Sequence, residues 1–348
     1  MKIGIDVRNL SIEQKKFSSE FLKYFIEKNE DALVNIYSVY EFEATRMIKS
    51  KSFQGFFGEQ VLFLKRLLDD KNDLVITFND TFPIFYNKRF VQVITSLEKL
   101  LYPNIELSKT FKKHTYQTIL KTNLKKAEKI LCFDEKTKKD INEKLNIDED
   151  KIEIIPWFFP HFEEEKTVID IQIDIKQKHS FTGEYLIYDS EVGSNKNIKR
   201  LLEALAKTDV NLVFIGNKIS SDIETRELIM RLWVKEKIVF AWFPESKELA
   251  LYYKQSIGVI FPILYSSFPF SLAKAINFKT KILASNLAEI KDILGEKAEY
   301  FSPISTLEIT QSIETNKQNN KNEVEYDDIL QKYSKENFTH NLMKACQI

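Results

Sequence analysis

Glycine is the residue this chain most lacks, with 8 in 348 positions, where ordinary usage of ~7% gives about 24. So few glycines leave few turns in which bare backbone closes on a ligand such as a phosphate. Cysteine is scarce too: Cys132 and Cys346 are too few and too far apart for a disulfide framework or a Cys-based zinc site, which points to a reducing compartment. His114, His161, His179 and His340 show no metal-ligand spacing and are read as structural, so no metal is expected, and no cofactor of another kind is read from the sequence. Charge of neither sign is in excess, since 51 Lys+Arg balance 51 Asp+Glu, which argues against a nucleic-acid partner. No apolar run is long enough to span a bilayer, the best, Ile257–Leu264, being broken by Pro262. The N-terminus enters Ile3-Gly4-Ile5-Asp6-Val7 without a signal-peptide core. The expected location is the cytoplasm, with peripheral attachment to the inner membrane face at most.

Short apolar runs are abundant instead, each followed by a stretch of helical periodicity. They predict strands over Lys2–Val7, Leu33–Val39, Leu74–Phe78, Val91–Thr95, Lys129–Phe133 and Lys151–Ile155 in the first half. In the second half they predict strands over Tyr185–Tyr188, Asn211–Ile215, Ile238–Trp242, Gly258–Phe261, Lys281–Ala284 and Glu299–Phe301. This alternation, twice over, predicts an α/β chain of two doubly wound, Rossmann-like parallel sheets. Pro156 and Pro160 bracket Trp157-Phe158-Phe159, and His161–Gly183 is charged without a helical period. The expected division is an N-terminal domain over 1–160, a linker over 161–183 and a C-terminal domain over 184–326. A terminal helix over 327–348 is expected to pack back toward the N-terminal domain.

The order of segments resembles the retaining, nucleotide-sugar-dependent glycosyltransferases of family 4, which have the GT-B fold. Met1–Leu10 (MKIGIDVRNL) is similar to the family's opening strand, Ala127–Leu145 to its ADxVIxVSExTRxDL segment, and Asp148–Pro156 to xxxKIxVIPNG. Tyr185–Leu202 resembles YxLYVGRLxPRKNIxRLL, Glu245–Tyr253 the SDEELAxLYxxA helix, and Phe261–Ile293 the long segment that contains EGFGLPxLE. The resemblance implies two Rossmann-like domains facing each other across a cleft, the N-terminal one on the acceptor side and the C-terminal one on the nucleotide-sugar side.

In that family an arginine and a lysine of a GRxxxxKN turn bind the donor diphosphate. Here the turn reads Ser190-Glu191-Val192-Gly193-Ser194-Asn195-Lys196-Asn197, so Lys196 keeps the lysine and Glu191 replaces the arginine. A unit charge pair at ~4 Å is worth about 4 kcal/mol at an effective dielectric near 20, so this reversal is not small. The family's two glutamates, which hold the donor sugar and the ribose hydroxyls, align with Ser266 and Lys274. An ammonium has no acceptor to offer a ribose diol. Ser267 and Pro269 replace glycines between them, and Ser271 follows within the segment. The donor-side candidates are therefore Lys196, Asn197, Ser190, Glu191, Ser266, Ser267, Ser271 and Lys274. On the acceptor and sugar side, the family's glycine-rich turn aligns with Lys15–Leu22, which offers Ser18 and Ser19. Its TIHDL aligns with Val93–Leu97, so Thr95 takes the histidine position beside Ser96. No residue is assigned as catalytic.

Two functions of different class follow. The resemblance implies transfer of a hexose from a nucleotide sugar to a glycan or lipid-linked acceptor. The substitutions suit a catalytically silent subunit that binds an active glycosyltransferase or presents its acceptor, with Glu191 pairing with Lys274 or Lys196 across an empty pocket. Phe158, Phe159, Phe268 and Phe270 are read as cleft fillers. Phe53–Leu68 reads as a core helix with an aromatic lead-in, or as a surface for lipid or a partner. Lys109, Lys113, Lys121, Lys125 and Lys129 form an i, i+4 stripe opposite Tyr116, Ile119, Leu120, Leu124 and Ala127. That stripe reads as a solvated helix face or a contact with anionic membrane.

Overall fold

The computed structural model describes residues 1–8, 10, 15–39, 47–49, 55–95, 97–101, 110–160, 173–189, 196–216, 222–242, 244, 246–265, 270–318 and 323–348. They form two compact units, Met1–Pro160 with Gln331–Ile348, and His161–Leu330. The first contains a seven-stranded parallel sheet of β1 (Lys2–Asp6), β2 (Leu33–Ser38), β3 (Met47–Lys49), β4 (Leu74–Thr77), β5 (Phe90–Val93), β6 (Lys129–Cys132) and β7 (Ile152–Ile154), in the order β3-β2-β1-β4-β5-β6-β7. Helices cover such a sheet on both faces, which is why β1, β4 and β5 are almost wholly buried and nearly continuous in apolar residues. The edge strand β3, parallel to β2 from Ile36↔Met47 to Ser38↔Lys49, is absent from the sequence reading because three residues carry no period.

The second unit holds six parallel strands, β8 (Tyr185–Asp189), β9 (Asn211–Ile215), β10 (Ile238–Ala241), β11 (Gly258–Phe261), β12 (Ile282–Ser285) and β13 (Ala298–Phe301), in the order β10-β9-β8-β11-β12-β13. Its helices include α5 (Ile198–Leu205), α6 (Ile223–Arg231), α7 (Ser246–Gln255), α8 (Phe270–Asn277), α9 (Ala288–Leu294) and α10 (Thr306–Gln318). Residues 173–183, read from sequence as linker, belong to this unit's packing. Asp174 caps the single turn Ile175–Lys178, buried Ile175 donates its amide to Gln255 Oε1 at 2.9 Å, and Gln255 Nε2 donates to Ile173 O at 2.7 Å. One helical turn is too short to show a period.

The first unit carries α1 (Lys15–Lys28), α2 (Phe63–Asp70), α3 (Thr110–Lys126) and α4 (Glu135–Leu145). The terminal segment is two helices, α11 (Asp327–Lys332) and α12 (Lys335–Cys346), the second capped by Ser334 and packed on α1. Aromatic rings hold it there. Trp157 stacks on Phe17 at 3.9 Å, Phe158 lies 4.4 Å from Phe17, and Phe338 of α12 stands 5.3 Å from Phe21 and 5.5 Å from Phe158. Phe159 packs 5.4 Å from Tyr333. Phe158 and Phe159 are thus core of the first unit rather than cleft fillers; Phe268 and the side chain of Phe270 lie outside the described residues.

The lysine stripe divides on folding. Tyr116, Ile119, Leu120, Leu124 and Ala127 are buried. Lys129 leaves the helix for β6 and pairs with Glu153 at 2.6 Å, Lys125 is exposed and Lys121 half-buried, while Lys109 and the Lys113 side chain lie outside the described residues. Within Phe53–Leu68, Phe63 and Leu67 enter the core while Phe57, Val61, Leu62 and Leu68 stay exposed.

The glycine deficit shows in the backbone. Lys71, Asn146, Ser180, Asn197, Trp233, Lys279 and Gln347 all adopt left-handed φ values, the region glycine occupies most cheaply. Gly258 admits no such exchange: its φ is +153° and a Cβ there would stand 3.0 Å from both Lys281 O and Leu283 Cδ1.

Candidate functional site

In open parallel sheets, ligands settle at the carboxyl ends of strands where the strand order reverses. In the second unit this point lies between β8 and β11. Three candidates can be placed around it. Lys196 lies in the turn ahead of α5, half-buried, and its ammonium makes no ion pair among the described residues. Asn197 follows with φ +56° and is 6% exposed. Its Nδ2 donates to Pro262 O at 2.8 Å and Pro303 O at 2.7 Å, while its Oδ1 accepts from Arg200 at 3.0 Å. The Asn197 amide is therefore spent on tying the turn to the chain after β11 and β13.

Lys274, one turn into α8, donates from Nζ to Asp189 Oδ2 at 2.7 Å. The same oxygen accepts from Tyr253 Oη at 2.5 Å. Asp189 ends β8 and is buried, its side chain 9% exposed against 26% for Lys274. Tyr253 is buried, and burial first, then the Asp189 carboxylate, pushes its phenol well above the ordinary tyrosine range. The partner of Lys274 is thus Asp189, which falls between the predicted strand Tyr185–Tyr188 and the candidate turn that opens at Ser190, and so carries no reading from the sequence. Its one signal was a charge closing the apolar run Tyr185-Leu186-Ile187-Tyr188. Ser190, Glu191, Ser266 and Ser267 lie outside the described residues, as does the side chain of Ser271.

The first unit reverses its order between β1 and β4. Here the carboxyl edge carries a connected polar group that sequence reasoning missed. Arg8 grips Asp6 through two bonds, Nε to Oδ1 at 2.8 Å and Nη2 to Oδ2 at 3.0 Å, and its guanidinium lies 3.6 Å over the Phe63 ring. Thr77 at the end of β4 also donates to Asp6, at 3.0 Å. Glu59 sits in a π-helical turn, Gly58–Leu62, and accepts from Thr81 Oγ1 at 2.5 Å. Burial raises the Glu59 carboxyl above its ordinary value, so it takes up a proton more readily than an exposed glutamate. Of the candidates on this side, Ser18 is buried in α1, Ser19 is exposed, Thr95 is half-buried just past β5, and Ser96 lies outside the described residues.

Asp80 completes this edge. It is buried, accepts from Tyr116 Oη at 3.2 Å, stands 3.6 Å from Lys99, and has no hydrogen-bond partner for its Oδ1 among the described residues. Burial pushes its carboxyl up. A carboxyl raised by folding contributes stability that is fully present below its unfolded pKa and lost as pH rises through its folded pKa. Asp80→Asn is therefore expected to raise Tm at pH 8, with the gain shrinking as pH falls toward the carboxylate range near ~4. Thermal melts of both proteins across pH check this, and a difference that does not change with pH refutes it.

Among the described residues no group of three His, Cys, Asp or Glu side chains could hold a metal ion, and no helix is long and apolar enough to cross a membrane. Residues 170–326 match the family model of glycosyl transferases group 1. The O-antigen chain mannosyltransferase RfbU of Salmonella typhimurium is 20% identical over 232 residues, a match spanning 66% of this chain and 61% of that protein. A glycosyltransferase structure from Rickettsia africae has a TM-score of 0.69 at 15% identity, covering 99% of this chain and 97% of that one. Anabaena HepE, solved in complex with UDP-glucose, gives 0.75 at 11% identity, covering 100% and 99%. The fold is GT-B.

Proposed function

We propose that this protein is a glycosyltransferase of the family 4 type that moves a hexose from a nucleotide sugar to a glycan or lipid-linked acceptor, with no metal or other cofactor. The observation that carries this reading is Lys196: a cation without an ion pair among the described residues, in the turn after β8, at the reversal of the second sheet. A leaving diphosphate needs such a charge beside it. The match of residues 170–326 to glycosyl transferases group 1 supports the same assignment. The Asp189–Lys274 pair favours a second reading, a silent subunit that binds an active transferase or presents an acceptor, because Lys274 is already neutralised within its own unit.

Titration calorimetry with UDP, GDP and their hexose conjugates separates the two. On the first reading one donor binds, and Lys196→Ala weakens it about tenfold or more, the size of a hydrogen bond to a charged group. If no nucleotide or nucleotide sugar registers at millimolar concentration, transfer is ruled out and the silent reading stands.

A further inference from the structure

The turn that carries Lys196 is held from three strands of its own unit. Tyr188 in β8 donates from Oη to Lys196 O at 3.3 Å, while Nδ2 of the next residue, Asn197, donates to Pro262 O beyond β11 and to Pro303 O beyond β13. Those two acceptors lie 65 and 106 residues along the chain. One amide nitrogen therefore ties this turn to the carboxyl ends of two other strands.

An asparagine ahead of a helix ordinarily caps it, its side-chain oxygen accepting from the first free backbone amides. Asn197 makes no such bond to α5. Its Oδ1 accepts from Arg200 Nη1 instead, and each of its two Nδ2 hydrogens has an acceptor of its own in a residue only 6% exposed. The side chain has no donor left for a ligand. Its backbone, at φ +56°, is in the left-handed region, which asparagine adopts more cheaply than most residues.

Lys196 is the opposite case. Its carbonyl is gripped by Tyr188 and its neighbour is buried, yet its ammonium forms no ion pair among the described residues. A lysine stem is flexible, so the region its charge can reach is set by where the backbone holds it. Groups that meet a ligand work when a supporting shell holds them to within ~0.5 Å.

We infer that Asn197 is a positioning residue for Lys196: it makes no contact with the donor itself, and its bridge to Pro262 and Pro303 fixes the backbone from which the Lys196 ammonium reaches the diphosphate. The inference rests on the transferase reading above. UDP and GDP, which carry the diphosphate without the sugar, are the ligands for its test. Asn197→Gly keeps the left-handed backbone at little cost and removes the bridge. Asn197→Ser is the second variant: Ser180 shows that serine holds this φ, and a single hydroxyl hydrogen cannot serve both carbonyls.

In calorimetry each variant is expected to weaken the nucleotide that wild type binds by about five- to tenfold, no more than Lys196→Ala does. Combined with Lys196→Ala, neither is expected to add a further loss. Hydrogen exchange is expected to quicken in the peptide that holds Lys196 and Asn197 while β8 and β9 stay protected. Losses that multiply in the double variant show that Asn197 meets the ligand on its own account, and they overturn the inference. Unchanged affinity in both variants, even with a lowered Tm, overturns it too, because Asn197 then serves folding alone; so does wild-type exchange in that peptide. If wild type binds neither nucleotide, the transferase reading falls and this inference with it, whereas wild-type binding that both variants retain removes the inference only.

Discussion

Lys274→Ala is expected to destabilise the second unit by about 2–3 kcal/mol, less than the ~3–5 kcal/mol of a fully buried pair because the lysine keeps some contact with water. The substitution leaves the Asp189 carboxylate buried, with the Tyr253 hydroxyl as the one remaining donor among the described residues. Neither group can leave: Asp189 is fixed by β8, and Tyr253 is buried in α7. Asp189→Leu combined with Lys274→Met is expected to recover most of the loss, since a buried ion pair exchanged for packed apolar groups is often neutral or stabilising. Urea unfolding of the three proteins measures this, and a single substitution costing under ~0.5 kcal/mol would show that water, rather than Lys274, compensates Asp189.

Phe338→Ala is expected to cost the first unit about 3–5 kcal/mol, the range for emptying a buried phenylalanine site. Phe338 is fully buried and touches Phe17, Phe21, Trp157 and Phe158 at centroid distances of 5.7, 5.3, 5.7 and 5.5 Å. These rings come from α1, the segment after β7 and α12, so the cavity would open where three parts of the chain meet. Such a loss is a large share of the ~5–15 kcal/mol that holds an ordinary domain folded. Limited proteolysis is expected to cut Lys335–Cys346 first in the variant, with Phe338→Leu losing less than about 1.5 kcal/mol. Equal protection of α12 in Phe338→Ala and wild type would refute its role as the anchor of the terminal helix.

The strands were legible because burial on both faces of a parallel sheet demands apolar runs such as Leu74–Thr77 and Asn211–Ile215, each bounded by charged or turn residues. That requirement is local, so sequence alone determined two doubly wound sheets, and the resemblance of consecutive segments named the fold. Features too short to show a period escaped: the three residues of β3 and the single turn at Ile175–Lys178.

The candidate sites were legible only as positions. Asn197 and Lys274 were singled out in sequence, but the acceptors that consume their donors, Pro262, Pro303 and Asp189, lie 65 to 106 residues away. Arg8 and Asp6 are two residues apart, yet their grip depends on Phe63 and Thr77 arriving from other elements. Charge and hydrogen-bonding capacity are written in the residue type, and the sequence determined which groups this protein has to place. Whether each faces a ligand or another side chain is set by which strand lies beside which, and only the tertiary structure decided that.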